Sequence, residues 1–220
     1  KINLFTKWVP EPGKISRDST REAVKKALSR MNQPQIDLMQ FHAWHYQDSS
    51  WIDALNYLKD LQDEGLIKNI GVTNFDTSHL RIALSSGIPV VSNQVCYSLL
   101  DRRASFEMSE LCKQFNIKLF AFGTLAGGFL SKRWLGKKEP VIDNNLNWSQ
   151  MKYKRFIDIT GGWNKFQKLL NEGRKNILYP KTIQRRKLVL HHKRCVSSFV
   201  FGLRRVCDTV LCVLSLSWRF

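Results

Sequence analysis

Short apolar runs alternate with segments of helical periodicity along the first 123 residues of the chain. The apolar runs predict five strands, at INLFT, IDLMQFH, IKNIGVT, VVSNQV and IKLFAFG. Between them, apolar residues recur at helical spacing in SRDSTREAVKKALSRM, WIDALNYLKDLQDEG, DTSHLRIALSSG and SFEMSELCKQF, which predicts four helices. Strands and helices are therefore expected to alternate.

Such alternation favours parallel strands joined by crossover helices, in a closed barrel or in an open doubly wound sheet. No G-x-G-x-x-G loop follows any predicted strand, and its absence argues against the open dinucleotide-binding fold. We therefore predict the α/β class and an incomplete TIM (β/α)8 barrel.

Polar side chains recur where the predicted strands end. In a parallel barrel this edge carries the active site, because the loops there join strands to helices. Taken singly, each of these residues also has a structural explanation, such as a hydrogen-bonded histidine or an asparagine that caps the next helix. We predict only a structural role for His45. The polar residues at the strand ends are Lys7, His42, Thr73, Asn74, Asn93 and Gln94.

Length and charge divide the chain unevenly. The 220 residues, 43% of them hydrophobic, suffice for one domain with a substantial core. The formal charge is +17, and residues 171–220 hold 11 Lys/Arg against 2 Asp/Glu. We therefore predict a partial barrel over residues 1–170 and a basic, atypical C-terminal tail over residues 171–220, with no fixed place in the fold.

Five cysteines without a close pattern fit a reduced intracellular protein. A cytoplasmic location is the default expectation, and an organellar one stays open because the chain begins at Lys1 without a visible targeting segment. No apolar stretch is long enough for a membrane span. The sequence does not indicate an oligomeric state.

Four motifs, in order, resemble those of the aldo-keto reductase family, the NADP-dependent oxidoreductase barrel. IDLMQFH resembles the family's DLxxxH strand, LQDEGLIKNIGVTNFD its GKIRxIGVSNF segment, VSNQVCYS its NQVEYxP, and LFAFGTLAGGFLS its xxAYxPLxxGxLS. The resemblance covers about Lys1 to Leu170 and implies barrel strands of about 3 to 7.

The resemblance also implies catalytic roles. Family members reduce carbonyls by hydride transfer from NADPH with an Asp, Tyr, Lys and His set, in which the tyrosine donates the proton. Lys7 matches the lysine, whose ammonium eases ionisation of the tyrosine. His42 matches the histidine, which hydrogen-bonds the substrate carbonyl and orients it. A small-molecule carbonyl substrate is therefore expected.

A cofactor site is implied as well, with NADP (NADPH) as the cofactor. Thr73, Asn74 and Gln94 are similar to the residues that bind the nicotinamide carboxamide, which needs both a donor and an acceptor opposite it. Phe122 stands where the family has a tyrosine stacked on the nicotinamide ring. Leu125 and Gly127 resemble residues that line the pyrophosphate, where a glycine lets the backbone approach closely.

Two departures from the family set expectations for activity. The aspartate and tyrosine belong to a strand and loop that would precede Lys1, and the eighth strand and the adenosine 2′-phosphate site are not recognisable after the helix GGWNKFQKLL. We therefore expect a truncated, catalytically impaired reductase. The alternative is a non-enzymatic binding protein of reductase ancestry that uses its basic tail.

The tail itself allows several interpretations. Its composition, rich in Arg, Cys, Ser and Trp without a period, is typical of a translated non-coding or shifted frame. A nucleic-acid-binding extension and a membrane-surface segment over Val196 to Trp218 are the less favoured alternatives. The second ligand pair that a zinc site would need beside His191, His192 and Cys195 is missing, so no metal site is predicted.

Overall fold

The structure is a computed structural model that describes residues 3–11, 13, 15–143 and 146–176 and the backbone of residues 210–212. Strand and helix alternate from the start of the described chain, as the sequence predicts. The strands are β1 (Phe5–Trp8), β2 (Leu38–Phe41), β3 (Ile70–Thr73), β4 (Val90–Cys96), β5 (Lys118–Phe122) and β6 (Val210–Cys212). The helices are α1 (Arg17–Met31), α2 (Ser50–Asp63), α3 (Thr77–Ser85), α4 (Glu107–Gln114), α5 (Trp148–Ile159) and α6 (Gly162–Asn176).

The described strands form one parallel sheet in the order β1-β2-β3-β4-β5-β6. Each of the first four crossovers contains one of the helices α1 to α4, which is the arrangement of a partial TIM barrel. The rings of Phe5 in β1 and Phe120 in β5 stack with centroids 6.1 Å apart, although three strands separate them. The sheet therefore curls, and the α/β prediction is confirmed.

Local sequence signals set several helix ends. Ser16 and Ser19 form a reciprocal capping box at the start of α1, and the side chain of Asp76 accepts from the backbone of His79 at the start of α3. Asn32 ends α1 in the left-handed conformation, with φ of 49°. These caps satisfy backbone groups that each helix end would otherwise leave without partners.

The two faces of the sheet differ in polarity. Side chains alternate along a strand, so Leu38 and Gln40 share one face of β2 and Met39 and Phe41 the other. A Cβ placed on Gly71 would lie 3.2 Å from Leu38 Cδ1 and 3.4 Å from Gln40 Cγ, so Gly71 belongs to the first face. This face, the inner face of the partial barrel, also carries the predicted site residues in β1, β3 and β4.

The described residues among 97–102 and 123–176 belong to a second compact unit, distinct from the unit that contains the sheet. Within it, α5 packs on α6, and an aromatic cluster joins them to the preceding loop through Phe129, Trp134, Trp163 and Phe166. Asn147 and Gln150 form a capping box at the start of α5. The described part of this unit is therefore helical.

The C-terminal region differs in part from the prediction. Helix α6 continues to Asn176, past the predicted boundary at residue 170. The backbone of Val210–Cys212 pairs with Leu119 to Ala121, which differs from the prediction of a tail with no fixed place in the fold. The rest of the predicted tail lies outside the described residues. Within the described part of the chain, no helix is long and apolar enough to cross a membrane.

Candidate active site

The predicted site residues of the first two strands lie at neighbouring positions. Lys7 lies inside β1 and is in register with Gln40, and the strand ends at Trp8, two residues beyond the predicted INLFT. His42 follows the last residue of β2 directly, and its backbone N–H donates to the Trp8 carbonyl oxygen at 2.9 Å. The pairing of β1 with β2 therefore holds Lys7 and His42 at the same edge.

Hydrogen bonds connect His42 to the next two strands. The Nδ2 atom of Asn74 lies 3.4 Å from Nε2 of His42, and the backbone N–H of Asn74 donates to the Gln94 carbonyl oxygen at 2.8 Å. Because amide Nδ2 is a donor, Nε2 accepts in this contact and a neutral ring holds its proton on Nδ1. His42, Asn74 and Gln94 are thus brought together.

Asn74 has a backbone conformation that suits its residue type. Its φ is 59°, in the left-handed region that asparagine tolerates better than most residues. This conformation lets its backbone N–H reach β4 while its side chain reaches His42. The residue predicted to contact the cofactor is thereby also the junction between β2 and β4.

Thr73 and Asn93 lie on opposite faces of the sheet. Thr73 is in register with Gln94 and is 1% exposed, and its Oγ1 atom has no hydrogen-bond partner among the described residues. Asn93 instead donates from Nδ2 to the Phe75 carbonyl oxygen at 2.9 Å, away from the inner face. Of the polar pair at this point of β4, only Gln94 therefore belongs to the site.

Burial and like charge shape the titration of the two basic residues. Although Lys7 is exposed overall, neighbouring atoms crowd its ammonium enough to lower its pKa from 10.5. Burial first, and the positive charge of Lys7 second, lower the pKa of His42 from 6.5. His42 is therefore mainly neutral at pH 7, and the positive charge of Lys7 disfavours its protonation.

The ring of His42 also has an aromatic neighbour at the edge. Trp44 stacks on it with centroids 5.7 Å apart and planes 29° apart, while remaining 68% exposed. Such a stack restricts rotation of the imidazole and presents an aromatic face to solvent. His45, for which only a structural role is predicted, is exposed.

Gln40 is a site residue that the sequence analysis missed. It is 6% exposed, and its Nε2 atom donates to Oε1 of Gln94 at 3.1 Å. The signal in the sequence was a polar residue inside an otherwise apolar strand, and all four residues of β2 are buried. A buried amide of this kind needs a partner, and the partner is the predicted cofactor ligand.

The sequence analysis also missed a cluster of Tyr46, His79 and Asp76 next to the Asn74 carbonyl oxygen. The hydroxyl of Tyr46 lies 3.5 Å from that oxygen, and its ring stacks on His79 with centroids 3.8 Å apart. Nδ1 of His79 lies 2.8 Å from a carboxylate oxygen of Asp76. Burial, with the carboxylate of Asp76 second, raises the pKa of Tyr46 well above 10. Tyr46 is thus a weaker acid than an ordinary tyrosine.

The remaining predicted cofactor residues lie at the end of β5 and in the loop after it. Phe122 is the last residue of β5 and is in register with Cys96, two residues beyond Gln94. Leu125 and Gly127, in the second compact unit, are half-buried; Gly127 lies in the short 3-10 turn Ala126–Gly128, and Leu125 directly precedes that turn. A Cβ on Gly127 would lie 3.0 Å from the Ser149 carbonyl oxygen, so close packing on α5 already requires a glycine there.

The described residues contain no group of three or more His, Cys, Asp or Glu side chains that could hold a metal ion. His191, His192 and Cys195 lie outside the described part of the chain. The chemistry of the site is instead that of amides and one hydroxyl. The side-chain amides of Asn74 and Gln94 and the buried Thr73 hydroxyl, which lacks a partner within the described chain, fit a ligand with its own donor and acceptor, such as a carboxamide.

The parallel sheet curls, and it carries basic and amide side chains at the carboxyl ends of its strands. These features define a barrel-type α/β protein. Residues 1–177 match the aldo/keto reductase family, and the chain belongs to that family. Among curated relatives, it is 32% identical to an aldo-keto reductase of Mycobacterium sp. (strain KMS) over 133 residues, covering 59% of this chain and 46% of that protein.

Other relatives agree with this assignment. The chain is 24% identical to a chloroplastic pyridoxal reductase of Arabidopsis thaliana, over 69% of this chain and 43% of that protein. The holo form of an aldo-keto reductase from Bacillus halodurans matches with a TM-score of 0.53 and 29% identity, over 70% of this chain and 51% of that one. The chain thus spans less than half of the length of these two curated relatives.

Proposed function

We propose that this chain carries the substrate-orienting and nicotinamide-binding part of an NADPH-dependent aldo-keto reductase that reduces carbonyls to alcohols. The observation that carries the proposal is the contact between His42 and Asn74, with Asn74 in turn bonded to Gln94. Three residues that the family resemblance selects independently are hydrogen-bonded neighbours. Family membership supports the same activity.

Each residue has a separate role in this proposal. NADPH, when bound, supplies the hydride. Asn74 and Gln94 hold the nicotinamide carboxamide, with the Thr73 hydroxyl beside them, because an amide opposite an amide satisfies both its donor and its acceptor. His42 hydrogen-bonds the carbonyl oxygen of the substrate and orients it. Lys7 favours ionisation of a proton-donating tyrosine through its positive charge.

The same proposal includes low activity for the 220-residue polypeptide alone. None of the residues that match the family motifs supplies the proton-donating tyrosine, and Tyr46 has its pKa raised by burial. Loss of a positioned proton donor costs about 10²- to 10⁴-fold in rate. We therefore expect this polypeptide to bind the cofactor without turning over substrate at a useful rate.

Two assays on the purified 220-residue chain test these points. Fluorescence of NADPH is expected to report binding that weakens in Gln94→Leu and not in Gln35→Leu, whose side chain is exposed and bonds the Gly65 carbonyl oxygen. Oxidation of NADPH with 4-nitrobenzaldehyde is expected to stay at the background rate. Robust oxidation that His42→Ala abolishes would contradict the proposed impairment. Equal NADPH binding by the wild type, Gln94→Leu and Gln35→Leu would contradict the proposed cofactor site.

A further inference from the structure

We infer that Gln40 is a positioning residue that fixes which end of the Gln94 side-chain amide faces the ligand. The inference rests on the proposed function and deepens it at the same site. Gln40 is not among the residues that the family motifs select, and it enters only through the structure. Its effect would be on ligand discrimination rather than on the reacting atoms.

The geometry of the pair is that of a buried, directional contact. Gln40 and Gln94 are 6% and 4% exposed, so neither amide can rely on bulk water. Nε2 of Gln40 donates to Oε1 of Gln94 at 3.1 Å, across the intervening strand β3. An amide oxygen engaged in this way leaves the Nε2 atom of Gln94 as the end that faces a ligand.

The strand between them is built to allow this contact. β3 has Gly71 in register with Gln40, and a Cβ there would lie 3.4 Å from Gln40 Cγ and 2.4 Å from Ser92 Oγ. The side chain of Gln40 therefore passes close to Gly71 on its way to Gln94.

The chemical consequence concerns the carboxamide of the cofactor. If Gln94 presents Nε2, it donates to the carboxamide oxygen and does not need the carboxamide NH2. A cofactor analogue that keeps the oxygen and lacks the NH2 group should then keep its hydrogen bond from Gln94. 3-Acetylpyridine adenine dinucleotide phosphate is such an analogue.

Gln40→Glu should reverse this preference. A carboxylate at position 40 only accepts, and Lys7, its register neighbour, favours the ionised form at pH 8. Gln94 would then turn its Nε2 toward residue 40 and present its oxygen to the ligand. NADP+ can still donate a hydrogen bond from its carboxamide NH2 group to that oxygen. The acetyl analogue has no donor there, so its acetyl oxygen would face the Gln94 oxygen without a hydrogen bond.

The measurement is the ratio of the dissociation constants of the analogue and NADP+ at pH 8, from titrations of tryptophan fluorescence. The ratio is expected to rise about tenfold in Gln40→Glu, the size of one hydrogen bond with an uncompensated acceptor. Gln40→Met, which lets the Gln94 amide turn freely, is expected to weaken both ligands and leave the ratio unchanged. The added charge of Gln40→Glu acts on both ligands alike and cancels in the ratio.

A second readout needs no ligand. In thermal unfolding, Gln40→Met and Gln94→Met should be non-additive, with the double variant less destabilised than the sum of the singles, while Gln35→Met and Gln94→Met should be additive. Additive behaviour of Gln40 and Gln94, or an unchanged ratio in Gln40→Glu, would overturn the inference. If NADP+ did not bind to the wild-type chain, the proposed function would fail, and the unfolding cycle alone would decide the role of Gln40.

Discussion

The Nε2 atom of His42 lies 3.4 Å from Nδ2 of Asn74, a residue whose φ of 59° is in the left-handed region. Asn74→Gly and Asn74→Ala both remove the amide, but only alanine also meets the steric cost of a positive φ, about 1 kcal/mol. We expect Asn74→Ala to be less stable than Asn74→Gly by about that amount. Chemical denaturation of the two variants checks this, and equal stabilities would contradict the backbone described for Asn74.

Protonation of His42 should oppose folding. Its pKa is lowered from 6.5 by burial and by Lys7, so between the folded value and 6.5 the unfolded chain binds more protons than the folded one. Stability is therefore expected to fall as the pH drops below about 6.5 and to level off, for this residue, below the folded pKa.

His42→Gln provides the comparison for that pH effect. The variant cannot titrate at position 42, so it should lose less stability than the wild type between pH 8 and pH 5. The difference of the two losses isolates His42 from other titrating groups. Identical losses in the two chains would mean that the His42 pKa is not lowered in the folded state.

Gly71 should not tolerate a side chain. A Cβ would lie 2.4 Å from Ser92 Oγ and 3.2 Å from Leu38 Cδ1, and overpacking of this kind costs about 1–3 kcal/mol. Ser92→Ala removes the closest atom, which has no hydrogen-bond partner among the described residues, so that change alone should cost little. Urea unfolding should show Gly71→Ala strongly destabilised and the double variant partly restored; a double variant with the summed cost of the singles would contradict the contact.

Much of the fold follows from local patterns in the sequence. The apolar runs that become β2, β3 and β5 and the helical spacing in α1 to α4 are visible without any long-range information, because each element buries one face. The Asp76 cap and the glycine after α2 are local signals of the same kind. Positions at strand ends then indicated His42 and Asn74 as candidates.

The parts that could not be predicted depend on distant partners. Gln40 and Gln94 are 54 residues apart, so no window of sequence shows that the two amides meet. Tyr46 meets Asn74 and His79 only because β2 and β3 are adjacent. The pairing of Val210–Cys212 with β5 was missed for a related reason, since three residues carry too little periodicity to indicate a strand.

In α5, Lys154 places a nearly buried ammonium between two carboxylates. Burial acts to lower its pKa, and hydrogen bonds to Asp158 at 2.5 Å and Glu139 at 2.7 Å outweigh burial and raise it. Removing both carboxylates with Glu139→Gln and Asp158→Asn leaves the ammonium without a counter-charge, at a cost of about 1–2 kcal/mol because solvent screens the half-exposed carboxylates. Lys154→Met should cost much less, because the two carboxylates are 51% and 43% exposed and stay solvated. Thermal unfolding compares the stability of Lys154→Met with that of the double variant Glu139→Gln, Asp158→Asn. A double variant more stable than Lys154→Met would contradict the role of the two carboxylates.

The proposed activity requires that Lys7, His42, Asn74 and Gln94 form one nicotinamide-binding edge of the sheet. Amide and side-chain NMR shifts of the 220-residue chain, followed during titration with NADP+, report on all four residues at once. We predict that the largest changes fall on the backbone of Asn74 and the side-chain amides of Asn74 and Gln94, and that the imidazole of His42 responds with them. Changes confined to residues at the opposite ends of the strands, such as Leu38 and Val90, would contradict this arrangement, as would no change at any of the four residues at saturating NADP+.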